Sequence, residues 1–177
     1  MKVVKWIAIV LGTLAVLFFG IGFMLPSKFN VSRAIEIKAP PEKVFMLITD
    51  PREWKRWTVW NQRDPGMKIT YSGPPAGPGA KWAWESKTEG TGNMEFTRAE
   101  ANKRLEYRLS FPDFGMVSTG ALTLLPSAGG GTEVTWATVG DVGANPIKHY
   151  FAAFMDRMVG PDFEGGLRNL KALAEKP

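Results

Sequence analysis

Residues Arg104–Phe111 read RLEYRLSF, and their alternation decides the fold class. Leu105, Tyr107, Leu109 and Phe111 fall on one side, with Glu106, Arg108 and Ser110 on the other. A period of two is that of a half-buried strand. Working outward, the flanking segments repeat the pattern with turn residues between them. Upstream, residues 93–99 put Met94 and Phe96 together, Gly90-Thr91-Gly92 makes a turn, and residues 80–86 put Trp82 and Trp84 on one face. Residues 67–72 precede these, joined by a Gly- and Pro-rich loop at 73–79. Downstream, residues 117–125 and 132–139 continue across Gly129-Gly130-Gly131, and Val134 and Trp136 share a face. Regular strands with Gly-rich turns predict an antiparallel meander.

The chain differs at both ends of this meander. Residues 30–37, NVSRAIEI, form one more strand, with Val31, Arg33, Ile35 and Ile37 on one face. Pro40-Pro41 stops it, and Pro41 suits the first position of a short helix at 42–48. Asp50-Pro51-Arg52-Glu53 reads as a second helix start, with Asp50 as cap and Glu53 three residues on. That helix carries Trp54 and Trp57 on one side. The C-terminal stretch is helical. Ile147, Phe151, Phe154, Met155 and Met158 fall within an arc of about 100°. Phe163, Leu167, Leu170 and Ala174 form a second stripe, rotated by about 160°. Gly160-Pro161 lies between them, which predicts a kink or short break.

Residues 6–25, from Trp6 to Leu25, read WIAIVLGTLAVLFFGIGFML without a charge. A helix of that length spans about 30 Å, the hydrocarbon thickness of a bilayer. A retained anchor, a cleaved secretory signal and a core helix are the three readings. Signal h-regions are shorter, and core helices have a polar face, so the anchor is favoured. The division expected is an anchor with tether at 1–28 and a domain at 29–177. Lys2 and Lys5 before the span give the usual form of an N-inside signal-anchor, which puts the domain on the periplasmic or extracellular side.

The chain carries 22 Lys+Arg against 17 Asp+Glu, and no Cys. Without Lys2 and Lys5 the rest holds 20 basic against 17 acidic residues, or +3. No basic block is present, so a nucleic-acid partner is not expected. Six of the seven Trp lie beyond the apolar segment. No protein partner can be named from the sequence.

Strand, short helices, six strands and a long C-terminal helix resemble the helix-grip fold of the START-like superfamily. The similarity is greatest to its polyketide cyclase/dehydrase-like branch, also called SRPBCC, from about residue 30 to 176. The matching pieces are IKAPPEKVF at 37–45, DPREWKRW at 50–57, GTEVTW at 131–136 and FEGGLRNLK at 163–171. The resemblance implies an α+β domain: a curved seven-stranded antiparallel sheet around the C-terminal helix, two short helices after the first strand, and an apolar cavity between sheet and helix. The candidate lining is Trp54, Trp57, Trp82, Trp84, Met94, Phe96, Tyr107, Leu109 and Trp136, facing Phe151, Met155 and Met158. Aromatic and Met side chains suit a flat or greasy ligand, and equally suit a filled core.

Catalytic signatures are scarce. His149, the one His, falls opposite the apolar stripe and reads as a solvated residue. One His and no Cys leave the usual zinc sites unavailable, and no cofactor is expected. Prolines in the 73–79 loop make it a poor phosphate cradle and suggest a lid at most. Glu85, Glu95 and Glu106 fall on the strand faces opposite the apolar rows. Three functions follow. The first is a membrane-tethered binding protein for a hydrophobic small molecule or lipid. The second is a cyclase- or dehydratase-like enzyme that moves a proton through Tyr107 or a buried carboxylate. The third is a closed interaction domain of the envelope, favoured by a cavity under about 300 Å³.

Overall fold

The computed structural model describes residues 2–176. A long apolar helix, α1 (Lys2–Met24), leads into β1 (Lys28–Ile37). Three short helices follow: α2 (Pro41–Thr49), α3 (Trp54–Trp57) and α4 (Val59–Arg63). The meander comprises β2 (Lys68–Ser72), β3 (Lys81–Ser86), β4 (Gly90–Glu100), β5 (Arg104–Phe111), β6 (Met116–Pro126) and β7 (Thr132–Asp141). The helix α5 (Pro146–Ala174) closes the chain. The strands form one seven-stranded sheet in the order β1-β7-β6-β5-β4-β3-β2. Every neighbouring pair is antiparallel. This is the expected fold class.

One face of the sheet is covered by the helices, and alternation dictates which side chains meet them. In β3 the pattern is Trp82 and Trp84 in, Lys81, Ala83 and Glu85 out. Glycine makes room for the largest of these rings. Trp84 pairs with Gly92, Tyr107 with Gly120 and Phe29 with Gly140 across the ladders. A Cβ at any of the three glycines would fall 2.2–2.4 Å from the facing ring. The outward Glu95 and Glu106 make surface ion pairs with Lys81 and Arg104.

The first helices depart from expectation. Asp50 does not cap a helix. Its side chain accepts from the Arg52 N–H at 2.8 Å within a turn, and α3 starts only at Trp54. Helicity then breaks at Thr58, which is extended at φ −73°, ψ 143°, so there are three short helices rather than two. α5 starts as Asn-Pro sequences favour: Asn145 accepts from the Ile147 N–H at 3.0 Å, and Pro146 takes the first position.

Two further expectations are corrected on α5. The helix runs unbroken through Pro161. Pro161 has no N–H for the Arg157 carbonyl, but both residues lie on the exposed side, where solvent can satisfy that group. The change of phase has a different cause. Ile147, Phe151, Phe154 and Met158 do not meet the sheet; they face outward. The inward residues of that half are His149, Ala152 and Met155.

Helix α1 takes no part in the domain core. Apart from Gly22, residues 3–24 are exposed. It is long and apolar enough to cross a membrane. It touches the domain at the start of α5, and there His149 is buried rather than solvated. Gly22 would offer its carbonyl to residue 26, but residue 26 is Pro and has no N–H. The His149 ring meets that carbonyl at 2.8 Å through Nδ1, and the Gly143 carbonyl at 2.8 Å through Nε2.

Candidate functional site

The space between the sheet and the middle of α5 is filled. Trp136 lies flat on Phe163, with centroids 3.9 Å apart and planes at 4°. Trp57 meets Trp136 edge-on at 5.2 Å, and Trp54 does so at 5.7 Å. The indole N–H groups are committed to protein acceptors. Trp54 donates to the Ile48 carbonyl at 2.7 Å, Trp57 to that of Leu47 at 3.2 Å, and Trp136 to the Tyr107 hydroxyl at 2.9 Å. Trp57 and Trp136 are thereby anchored in the core.

The apolar pocket lies further along the sheet, under α3 and α4 and over β2 to β5. Its walls are Trp54, Trp60, Met67, Ile69, Tyr71, Trp82, Trp84, Met94, Leu109 and Phe111. Pro51, Lys55, Thr58, Asn61 and Glu89 supply the rim. The cavity volume is about 80 Å³, or about 590 Å³ of empty space with its open mouth included. The cavity proper is thus well below the 300–1,000 Å³ of typical ligand sites.

Local sequence explains this placement. Ile69 and Tyr71 alternate inward on β2, which pairs only with β3 and so forms a sheet edge. Thr58 ends α3, and its hydroxyl donates to Asn61 Oδ1 at 2.9 Å. Arg63, at the end of α4, reaches Glu89 at 3.1 Å and Asp162 of α5 at 2.7 Å. The same Asp162 accepts from the Trp60 indole at 2.9 Å. Arg63 therefore clips α4 to both the β3–β4 turn and α5. Hydrogen bonding to Asp162 raises its pKa further, so it stays charged. Burial raises the Tyr71 phenol pKa, with the Arg52 guanidinium 5.0 Å over its ring.

Of the residues expected to line a cavity, the structure brings Trp54, Trp82, Trp84, Met94 and Leu109 together at this pocket. Trp57, Phe96, Tyr107 and Trp136 sit in the solid core, and Met155 is buried on α5. Phe151 and Met158 lie on the outer surface, 56% and 57% exposed, and line nothing. Tyr107 is 1% exposed. Burial pushes its phenol up to about 12. Its hydroxyl accepts from the Trp136 indole, and Tyr107 is not part of the pocket lining. The lining residues not expected from the sequence are Pro51, Lys55, Thr58, Trp60, Asn61, Met67, Ile69, Tyr71, Glu89 and Phe111. The alternation of Met67, Ile69 and Tyr71 was a usable signal, as was Phe111 on the face of Leu109. The loop at 73–79 is no lid. Gly77 N–H bonds the Thr49 carbonyl at 2.9 Å and Gly79 N–H bonds that of Phe96 at 2.7 Å, which ties the loop down. Among the described residues, no group of three or more His, Asp or Glu side chains is placed to hold a metal.

The family profile described as "Polyketide cyclase / dehydrase and lipid transport" matches residues 28–175. The chain belongs to that family. No curated protein sequence matches it. Solved structures share the fold of this family member at low identity. Protein CV1439 of Chromobacterium violaceum is 19% identical, with a TM-score of 0.61 over 84% of this chain and 98% of the other. A truncated norcoclaurine synthase of Thalictrum flavum is 10% identical, with a TM-score of 0.62 over 85% and 95%. The di-domain ARO/CYC protein BexL, from the BE-7585A biosynthetic pathway, is 15% identical, with a TM-score of 0.61 over 85% and 51%. At these identities the likeness extends to the fold alone.

Proposed function

We propose that this protein is a membrane-tethered carrier that holds a hydrophobic small molecule or lipid in the pocket under α3 and α4. The observation that carries this reading is the cluster of Trp54, Trp82, Trp84 and Met94 around open space at the β2 edge. These rings pack on their neighbours, Trp54 on Trp82 at 5.1 Å and Trp84 on Phe111 at 5.7 Å, and on their remaining side they border a gap with a mouth. Membership of a family that includes lipid transport agrees with it. A volume of about 80 Å³ admits one small ring or the end of an acyl chain. A two-ring molecule such as 2-naphthol, or a lipid, needs α4 and β2 to part, which means opening the Arg63 clip. Helix α1, in this reading, is the retained anchor.

The small cavity also favours a second reading, a closed interaction domain. One experiment separates the two. The full chain is purified in lipid nanodiscs, released into native mass spectrometry, and titrated with 2-naphthol against empty nanodiscs. A carrier retains a co-purified apolar molecule or binds the naphthol. Met94→Trp, which adds a ring inside the pocket, reduces that binding at least several-fold. If wild type neither carries a molecule nor binds the probe, the carrier reading is wrong and the closed domain stands.

A further inference from the structure

We propose that the outer face of the first half of α5 is a second membrane contact, lying in the bilayer interface beside α1. The proposal rests on reading α1 as an anchor. It concerns a different surface of the molecule.

Ile147, Phe151, Phe154 and Met158 recur at i, i+4, i+7 and i+11, so they share one face of α5. They are 45–57% exposed, although His149, Ala152 and Met155 on the inward side are buried. A helix with two apolar faces needs two apolar neighbours, and the sheet supplies only one. Scattered surface apolar residues need no explanation, but a continuous stripe marks an interaction surface.

The neighbour is identified by α1. Tyr150, adjacent to this stripe, stacks on Phe18 with centroids 4.7 Å apart and planes at 8°. Its hydroxyl donates to the Phe18 carbonyl at 2.7 Å. Phe18 lies six residues inside the end of α1 at Met24, about 9 Å along the helix axis. A bilayer that receives α1 up to Met24 therefore reaches the depth of Tyr150 and of the Phe151 beside it.

The charges agree. Lys148 and Arg157 flank the stripe; the Lys148 ammonium donates to the Phe114 carbonyl at 2.9 Å, and the Arg157 guanidinium lies 5.9 Å over the Phe154 ring. Cationic heads on long stems beside an apolar face are the pattern of a helix lying in a lipid interface. Asp156 lies about half a turn of rotation away from Ile147, on the opposite side of the helix, where it pairs with Arg33 at 2.7 Å.

The absence of Cys from the chain makes the test clean. Single-cysteine variants Phe154→Cys, Leu14→Cys and Lys103→Cys carry a nitroxide label. Lys103 lies at the β4–β5 turn, the strand ends remote from α1. The full chain is placed in vesicles of mixed phosphatidylcholine and phosphatidylglycerol. Collision of each label with dissolved oxygen is compared with collision with a water-soluble nickel chelate. The expected result is an oxygen-to-nickel ratio several-fold higher at residues 14 and 154 than at 103. A lipid signal at 14 with a water signal at 154 overturns the interfacial contact and leaves the anchor standing. A water signal at both removes the anchor and this contact together. Spin–spin broadening at 154 that disappears on dilution with unlabelled protein shows a second copy on the stripe, and also overturns the proposal.

Discussion

Gly120 faces Tyr107 across the β5–β6 ladder, and a Cβ there would meet the phenol ring at 2.2 Å. The ring can lie flat because its partner has no side chain, and its hydroxyl then reaches the Trp136 indole. This arrangement gives Tyr107 a structural role. Tyr107→Phe removes the acceptor of a buried N–H, which costs roughly 1–3 kcal/mol. Urea denaturation should show that loss, with 2-naphthol binding at the pocket unchanged. A variant of full stability that has lost the probe would return Tyr107 to the site. The pairing of aromatic with glycine was not legible in the sequence, because it depends on strand register. Only the register brings Gly92 under Trp84 and Gly120 under Tyr107.

Between elements, Arg33 of β1 joins Asp156 at 2.7 Å and Glu164 at 2.7 Å on α5. The Arg33 guanidinium crosses Gly160, where a Cβ would fall 2.0 Å away, so the helix approaches β1 closely at that point. Hydrogen bonding from Arg33 holds the Asp156 carboxyl below its ordinary value of 3.8. A lowered folded pKa stabilises the fold above the unfolded value, and that contribution is lost as pH falls through the folded one. Asp156→Asn should therefore be less stable than wild type near neutral pH, and the gap in denaturation midpoint should close in acid below 3.8. A gap that does not change with pH would remove the charge from the explanation. The elements themselves were largely legible. Alternation with period two located the strands, and Pro41 located α2. The faces of α5 were not, because its apolar residues occupy both sides and the sequence does not say which side meets the sheet. His149 was misread for the same reason: α1, from the far end of the chain, covers it.

At the scale of the molecule, α1 is held by the side chains of His149 and Tyr150, which reach the carbonyls of Gly22 and Phe18. His149→Ala should loosen that joint. Electron–electron distance measurements between labels at Leu14→Cys and Lys103→Cys should give a broader distribution than in wild type. An unchanged width would mean that packing alone sets the angle. The family was legible from motif order, but the site within it was not. Filling of the space under α5 by Trp57, Trp136 and Phe163 depends on how these rings interlock in three dimensions. The sheet order has one more consequence. The chain enters at β1, one edge of the sheet, and the pocket lies towards β2, the other. The pocket extends from β5 to β2, three to six interstrand spacings of about 4.8 Å from β1, or about 14 to 29 Å along the sheet. The β5–β6 turn, with Phe114 exposed, lies between them at the strand ends where α1 joins. On the proposed carrier reading, a molecule taken from a bilayer around α1 would cross up to about 3 nm along that rim, so path length as well as affinity would govern its delivery.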